Sequence, residues 1–121
     1  MTLLLVAVAG GAGASARFLL DTLVSRHNRL SVPLGTALVN LTACFLLGLL
    51  TGWLSTRTGD GSLGTVLGVG FLGGYSTFST ASVEAARLVL AGRTGAAVVH
   101  AAGMLVASLG AAALGLVFGA A

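Results

Sequence analysis

The sequence has no lysine, three acidic residues, one cysteine and one proline among its 121 residues. Each shortage excludes something. Charged residues make up 7% of the chain, against about 25% in a soluble domain, so a water-exposed globular fold is ruled out. Six arginines against three acids give a net charge of +3 and a nominal pI near 10.6. The arginines are scattered and form no basic patch, which leaves nucleic-acid binding without support. The lone thiol, Cys44, cannot build an internal disulfide framework and reads as a small packing residue. Catalytic constellations are missing as well: there is no nucleophile beside a base and no pair of carboxylates. The stretch GAGASAR, residues 11–17, lacks the preceding strand and the lysine that a phosphate-binding loop needs. The chain is not read as an enzyme.

What is present is apolar. Hydrophobic residues make up 56% of the chain, and the mean hydropathy is +1.05. Stretches without a charged residue cover 1–16, 30–56, 61–83 and 94–121. A membrane span needs about 20 apolar residues; three of these stretches reach that length, and the first does so with Arg17 and Asp21 tolerated near its end. The expected fold is an all-α membrane protein, a single unit over 1–121. Its four transmembrane helices should run over about 3–24, 33–54, 62–91 and 95–119. Pro33 suits the first turn of the second helix, and Trp53 sits where an interfacial aromatic anchor belongs. Ala14-Ser15-Ala16 looks like a signal-peptidase site, but no positively charged segment precedes it, so the N-terminal stretch is read as a span. His100 is read as structural, because no second metal ligand lies at a useful spacing.

The third stretch is too long for one straight span. Thirty residues rise about 45 Å as a helix, against a hydrocarbon core of about 30 Å. Near its centre stands GGYSTFSTA, residues 73–81. Adjacent glycines weaken a helix, so the helix is expected to break at Gly73 and Gly74. Irregular backbone at membrane depth survives only when buried in protein or lining a wet cavity, which implies a path for an ion or substrate. Carbonyls ending the first half-helix suit a cation, and N–H groups opening the second suit an anion. The hydroxyls of Ser76, Thr77, Ser79 and Thr80 can satisfy backbone groups released by the break.

Asn40, with Thr36 one turn before it, offers amide and hydroxyl donors that suit an anion; an interhelical hydrogen bond is the plainer role. Phe78 reads as core packing or as a ring edge turned to an anion. Arg17 snorkels or serves the path, and Glu84 can pair with Arg87 on one helix face. The remaining helix glycines, Gly10, Gly11 and Gly13 among them, read as close-packing positions. Four thin helices cannot enclose both a pore and its scaffold, so a dimer or larger assembly is expected. Arg26, Arg29 and Arg93, with Arg87 nearby, lie on one side of the membrane, and Arg57 lies on the other beside Asp60. This bias places the arginine-rich loops in the cytoplasm and both termini outside.

Three motifs in order, GGAGASAR at 10–17, PLGTALVN at 33–40 and GGYSTFSTASVE at 73–84, resemble the Fluc or CrcB family of bacterial fluoride channels. The resemblance covers essentially the whole chain. It implies a fluoride-selective channel in the bacterial plasma membrane that passively exports cytoplasmic fluoride. It further implies an antiparallel, dual-topology dimer with two pores and a central sodium ion held by backbone carbonyls of the helix breaks. Gly73 and Ser76 would supply those carbonyls. Asn40 matches the pore amide and Phe78 the first pore phenylalanine. Thr36, Ser79, Thr80, Glu84 and Ser108 fall on the polar lining, and Arg17, Gly74 and Thr77 on the supporting vestibule. His100, Met104 and Ser108 fall where the family has a tyrosine and two serines.

Two positions depart from the pattern: Ala81 stands in place of a second phenylalanine, and Met104 in place of a serine. These losses, with the arginine bias, point to one half of a heterodimer rather than a homodimer. The alternatives are a non-conducting structural subunit and a small multidrug-type transporter. The latter needs a membrane-embedded carboxylate, for which helix one offers only Asp21.

Overall fold

A computed structural model describes residues 1–28, 34–57 and 61–121 and is helical in every element. Pro33, Arg29 and Asp60, each given a role above, lie outside the described residues. Three unbroken helices, α1 (Thr2–His27), α2 (Leu34–Ser55) and α5 (Thr94–Ala120), are each long and apolar enough to cross a membrane. Their outer faces carry Leu3, Phe18, Leu19, Val99, Val106 and Val117, all exposed. A soluble protein would not tolerate so large an apolar surface; in a bilayer it is the lipid-facing side. Several hydroxyls on these helices bond back to their own backbone, as Thr42 Oγ1 does to the Leu38 carbonyl at 2.8 Å and Thr51 Oγ1 to that of Leu47 at 2.8 Å, which spares them an unpaired donor in the bilayer. The molecule is a multi-pass membrane protein.

The third span is divided, and not where the glycines suggested. Helix α3 covers 62–75: an α-helical turn Ser62–Gly64, a π-helical stretch Thr65–Leu72 and another α-helical turn Gly73–Tyr75. Gly73 and Gly74 thus lie inside the helix. The chain leaves it at Ser76, which is extended at φ −76° and ψ 159°, and re-enters at α4 (Ser79–Leu90). Gly74 is there for closeness. A Cβ on it would collide with the backbone carbonyl of Gly10. Gly13 likewise lies on the Phe71 carbonyl, and Gly70 faces Val6 and Ala9 at about 3 Å.

α1 and α3 therefore run parallel with their backbones in contact. The same device joins α2 to α5, also parallel. Gly48 and Gly52 meet the backbone of Ala112 and Leu116, while Gly115 and Gly119 meet that of Phe45 and Leu49. Two interlocked small-xxx-small pairs give van der Waals contact that lipid cannot match.

The core lies where α1, α2 and α3 meet. Val39, Ala43, Leu72 and Tyr75 are buried, with Ala16, Leu20 and Phe71 around them. Tyr75 stacks on Phe71 at 6.1 Å and shares a 2.8 Å hydrogen bond with Thr42 Oγ1. The last residue before the break is thus anchored. At the far end of α4, Gly92 adopts φ +77° and closes the helix: its N–H donates to Val89 and the Arg93 N–H to Leu88, at 3.0 and 2.8 Å. This is the glycine-terminated motif that turns a chain sharply, and it lets α5 return beside α4.

The glycine contacts make a sharp forecast. Gly74→Ala should destabilise the folded subunit by about 1–3 kcal/mol, read as earlier thermal unfolding in detergent. Gly11→Ala should be neutral, because nothing lies within 4 Å of its Cβ position.

Candidate functional site

The break is held by a side chain from another helix. Asn40, on α2, donates from Nδ2 to the Thr77 carbonyl at 2.7 Å and accepts the Thr77 N–H on Oδ1 at 2.8 Å. An amide side chain thus pairs with a peptide group as a second backbone would. In an unbroken helix the Thr77 N–H would bond to the Gly73 carbonyl one turn back, so Asn40 leaves that carbonyl free of it. The remaining N–H of Asn40 points at Met104 Sδ, 3.4 Å away on α5. The plainer sequence reading of Asn40, an interhelical hydrogen bond, describes this geometry.

Around the pair stand the hydroxyls. Thr77 Oγ1 accepts the Thr80 N–H at 3.2 Å and donates to Thr80 Oγ1 at 3.1 Å, with Ser79 Oγ at 3.4 Å. Thr77 therefore caps the first turn of α4, satisfying a backbone donor that the break exposes. The Ser76 carbonyl accepts from Arg17 Nη1 at 3.4 Å. This puts a guanidinium beside one of the two carbonyls assigned to a cation.

On the other side, Thr36, only 2% exposed, donates to Glu84 Oε1 at 2.7 Å. The second carboxylate oxygen lies 3.7 Å from His100 Nε2. The expected Glu84–Arg87 pair does not form, because both Glu84 oxygens turn inward to Thr36 and His100. Asp21 lies against Gly35 in the first turn of α2, where the helix dipole favours negative charge.

These groups line three neighbouring hollows. A cleft of about 500 Å³ is bordered by Asn40, Ser76, Thr77, Phe78, Met104 and Ser108. A second, of about 200 Å³, shares Thr77 with it and adds Arg17, Asp21, Thr36 and Thr80. A third shares Thr80 and adds Ser79, Glu84 and Arg87. Ten of the residues singled out in the sequence thus fall on one string along the break: Arg17, Thr36, Asn40, Ser76, Thr77, Phe78, Ser79, Thr80, Glu84 and Ser108. Gly73 and Gly74 do not line it; they sit in the turn just before. Phe78 borders the cleft yet is 86% exposed, so it is not core packing. The sequence reading missed His100 as a partner of Glu84 and Met104 as a partner of Asn40. A signal for the former existed, since His100 is the sole ionisable residue in the stretch 94–121, and an ionisable group inside a membrane is a functional candidate.

The sequence pattern of the family described as "CrcB-like protein, Camphor Resistance (CrcB)" matches residues 4–116. The chain belongs to the CrcB family. Among CrcB relatives, "Fluoride-specific ion channel FluC 1" of Leifsonia xyli subsp. xyli is 44% identical, over 98% of this chain and 87% of its own length. "Fluoride-specific ion channel FluC 2" of Cutibacterium acnes is 45% identical over 98% of each chain. "Fluoride-specific ion channel FluC" of Novosphingobium aromaticivorans is 44% identical over 92% of this chain and 90% of its own. The matched CrcB region contains the whole string of site residues.

Asn40 governs the break, and two substitutions separate its contacts. Asn40→Ala leaves the N–H and carbonyl of Thr77 without partners, at about 1–3 kcal/mol for each buried group. Asn40→Asp keeps an acceptor for the N–H but sets an oxygen against the Thr77 carbonyl in place of the donor. Amide hydrogen exchange at Thr77 should accelerate markedly in the alanine variant and stay slow in the aspartate variant.

Proposed function

We propose that this chain is a subunit of a fluoride-selective channel that lets cytoplasmic fluoride leave the cell passively, working as one half of a heterodimer. The observation that carries the reading is the Asn40–Thr77 pair. It maintains a helix break inside the membrane, flanked by hydroxyls and neighbouring hollows, in a chain whose relatives are named for fluoride. Hydrogen fluoride diffuses into a cell and dissociates at cytoplasmic pH, and the anion leaves down the membrane potential. The function involves no bond-making step, so the protein is a conduit and not an enzyme. The family assignment leaves the multidrug-transporter alternative without support.

Fluoride is small and strongly hydrated, so a path must replace its water with donors while never holding it too tightly. Ser79, Thr80 and Ser108 offer hydroxyls, and Phe78 the positive edge of its ring. The second N–H of Asn40 is bonded only to a thioether, a weak acceptor, and an anion competes for it easily. Thr36, Glu84 and Arg87 form the charged end of the string. Arg17, Gly74 and Thr77 shape it from behind.

A sodium ion fits the other side of the break. Hard cations take oxygen ligands, and carbonyls at an interrupted membrane helix are suited to sodium. The Gly73 carbonyl loses its usual helical donor to Asn40, and the Ser76 carbonyl keeps a second lone pair beyond its contact with Arg17. The charge of such an ion would fix the break from the side opposite the anion. Two carbonyls are half a site, and a second subunit completes it. The space where a Gly73 Cβ would stand is open down to 3.8 Å, which suits the approach of another backbone, and the exposed Phe78 ring needs the same cover.

The antiparallel partner is read as a paralogue. Ala81 and Met104 depart from the pattern of the pore, and the arginine bias fixes one orientation, with both termini outside the plasma membrane. Relatives with numbered names, FluC 1, FluC 2 and FluC 3, agree with paired genes. In liposomes loaded with fluoride, this chain alone should release none, and adding the paralogous subunit should start release that chloride cannot replace, followed with a fluoride electrode. Release by the chain alone would remove the heterodimer, and silence from both together would remove the channel. Ala81 also favours a second reading, a structural subunit that does not conduct. That reading requires Phe78→Ile in this chain to leave the pair's efflux unchanged, whereas a conducting subunit loses most of it.

A further inference from the structure

Among the described residues, three buried side-chain polar atoms have no hydrogen-bond partner, Glu84 Oε2, His100 Nε2 and Ser108 Oγ, and the first two face each other 3.7 Å apart. The side chain of His100 is 4% exposed and that of Glu84 17%. A distance of 3.7 Å is too long for a hydrogen bond, yet an unpaired polar atom in a membrane protein's interior is costly. The carboxylate is already oriented, because Thr36 Oγ1 holds its other oxygen at 2.7 Å. A proton on His100 Nε2 would turn the near miss into a charge-assisted hydrogen bond, which is shorter and stronger than a neutral one.

The geometry points to His100 as a proton-operated control on anion passage. With His100 uncharged, the Glu84 carboxylate, held through one oxygen by Thr36, keeps its negative charge beside the hollow it borders with Ser79, Thr80 and Arg87 and repels an anion there. With His100 protonated, the two form an ion pair whose charges cancel, and the anion meets less resistance. This rests on the channel reading above.

Among the described residues, Arg93 stands at the N-cap of α5 and is fixed in charge. His100 is the sole ionisable side chain within α5, and the described part of α2, which packs on α5, has only Cys44. On α4, Glu84 and Arg87 face the region, and Arg87 is fixed in charge. From α1, Arg17 and Asp21 line the neighbouring hollow behind Thr36. His100 is thus a positioning residue for the Glu84 charge, one that responds to protons from whichever side reaches it.

The test reads current across a planar bilayer, because hydrogen fluoride crosses lipid without carrying charge. The protein is reconstituted alone and with its paralogous subunit, and fluoride current is recorded from about pH 8.5 to about pH 5.5, the range in which a histidine exchanges its proton. Removing one unit charge beside the path should raise the current about threefold to tenfold on acidification. His100→Gln and Glu84→Gln should each remove that dependence, and His27→Gln, at the exposed end of α1, should keep it. The chain has two histidines, so nitrogen-15 histidine spectra, assigned with the same variants, report Nε2 protonation whether or not current flows. Protonation of His100 over the interval in which the current rises supports the control. A current indifferent to pH while His100 takes up its proton overturns it, as does a His100 that stays neutral throughout. Absence of fluoride current at every pH from well-folded protein, even though Glu84→Gln alters the His100 signal, overturns the channel reading and leaves only a proton-binding pair.

Discussion

An amide side chain bonded to a peptide group is the constraint on which the rest depends. The Asn40–Thr77 pair supplies both hydrogen bonds that a helix would have given Thr77, and it does so from a different helix. Without it, the interruption between α3 and α4 would leave a donor and an acceptor bare at membrane depth, and the chain would gain by closing into a continuous helix. With it, the interruption becomes the stable arrangement. The hydroxyl cap by Thr77, the Arg17 contact to Ser76 and the string of hollows all follow from an extended residue at that depth.

Glycine does a different job from the one its position suggests. The paired glycines before the break look like its cause, yet both are helical, and Gly74 is pressed against α1. Backbone contact between α1 and α3 on one side, and between α2 and α5 on the other, makes two rigid pairs from very little side-chain volume. Large side chains are thereby freed for the outer surface, where the solvent is lipid. Some glycines, Gly103 and Gly110 among them, have nothing against them within the subunit.

Much of this was legible in the sequence, because membrane physics reduces to length and charge. Charge-free stretches marked the spans, and the surplus length of the third marked an interruption. Its position was misjudged by about three residues, since composition cannot tell a glycine chosen for looseness from one chosen for closeness. Thr36, Asn40, Thr77 and Thr80 were recognisable as polar residues without an excuse to be in lipid, but not their partners. Asn40 finds a backbone group 37 residues away, and Glu84 turns from the arginine on its own helix to a threonine and a histidine on two others. Such choices depend on helix rotation, which no single segment encodes.

The parallel contact of α2 and α5 has a mechanical consequence. Their backbones touch at Gly48, Gly52, Gly115 and Gly119, near the C-terminal ends of both helices. Toward the N-terminal ends they are held apart by side chains, with Asn40 against Met104. Asn40 and Cys44 on α2 and Met104 and Ser108 on α5 border the cleft at the break, on the N-terminal side of those glycine contacts. A methyl group inserted at Gly48 or Gly115 would push the two helices apart about two turns from Asn40 and Ser108 at the cleft. Residues that look like mere packing at the edge of the bilayer thereby bear on the spacing of the cleft walls.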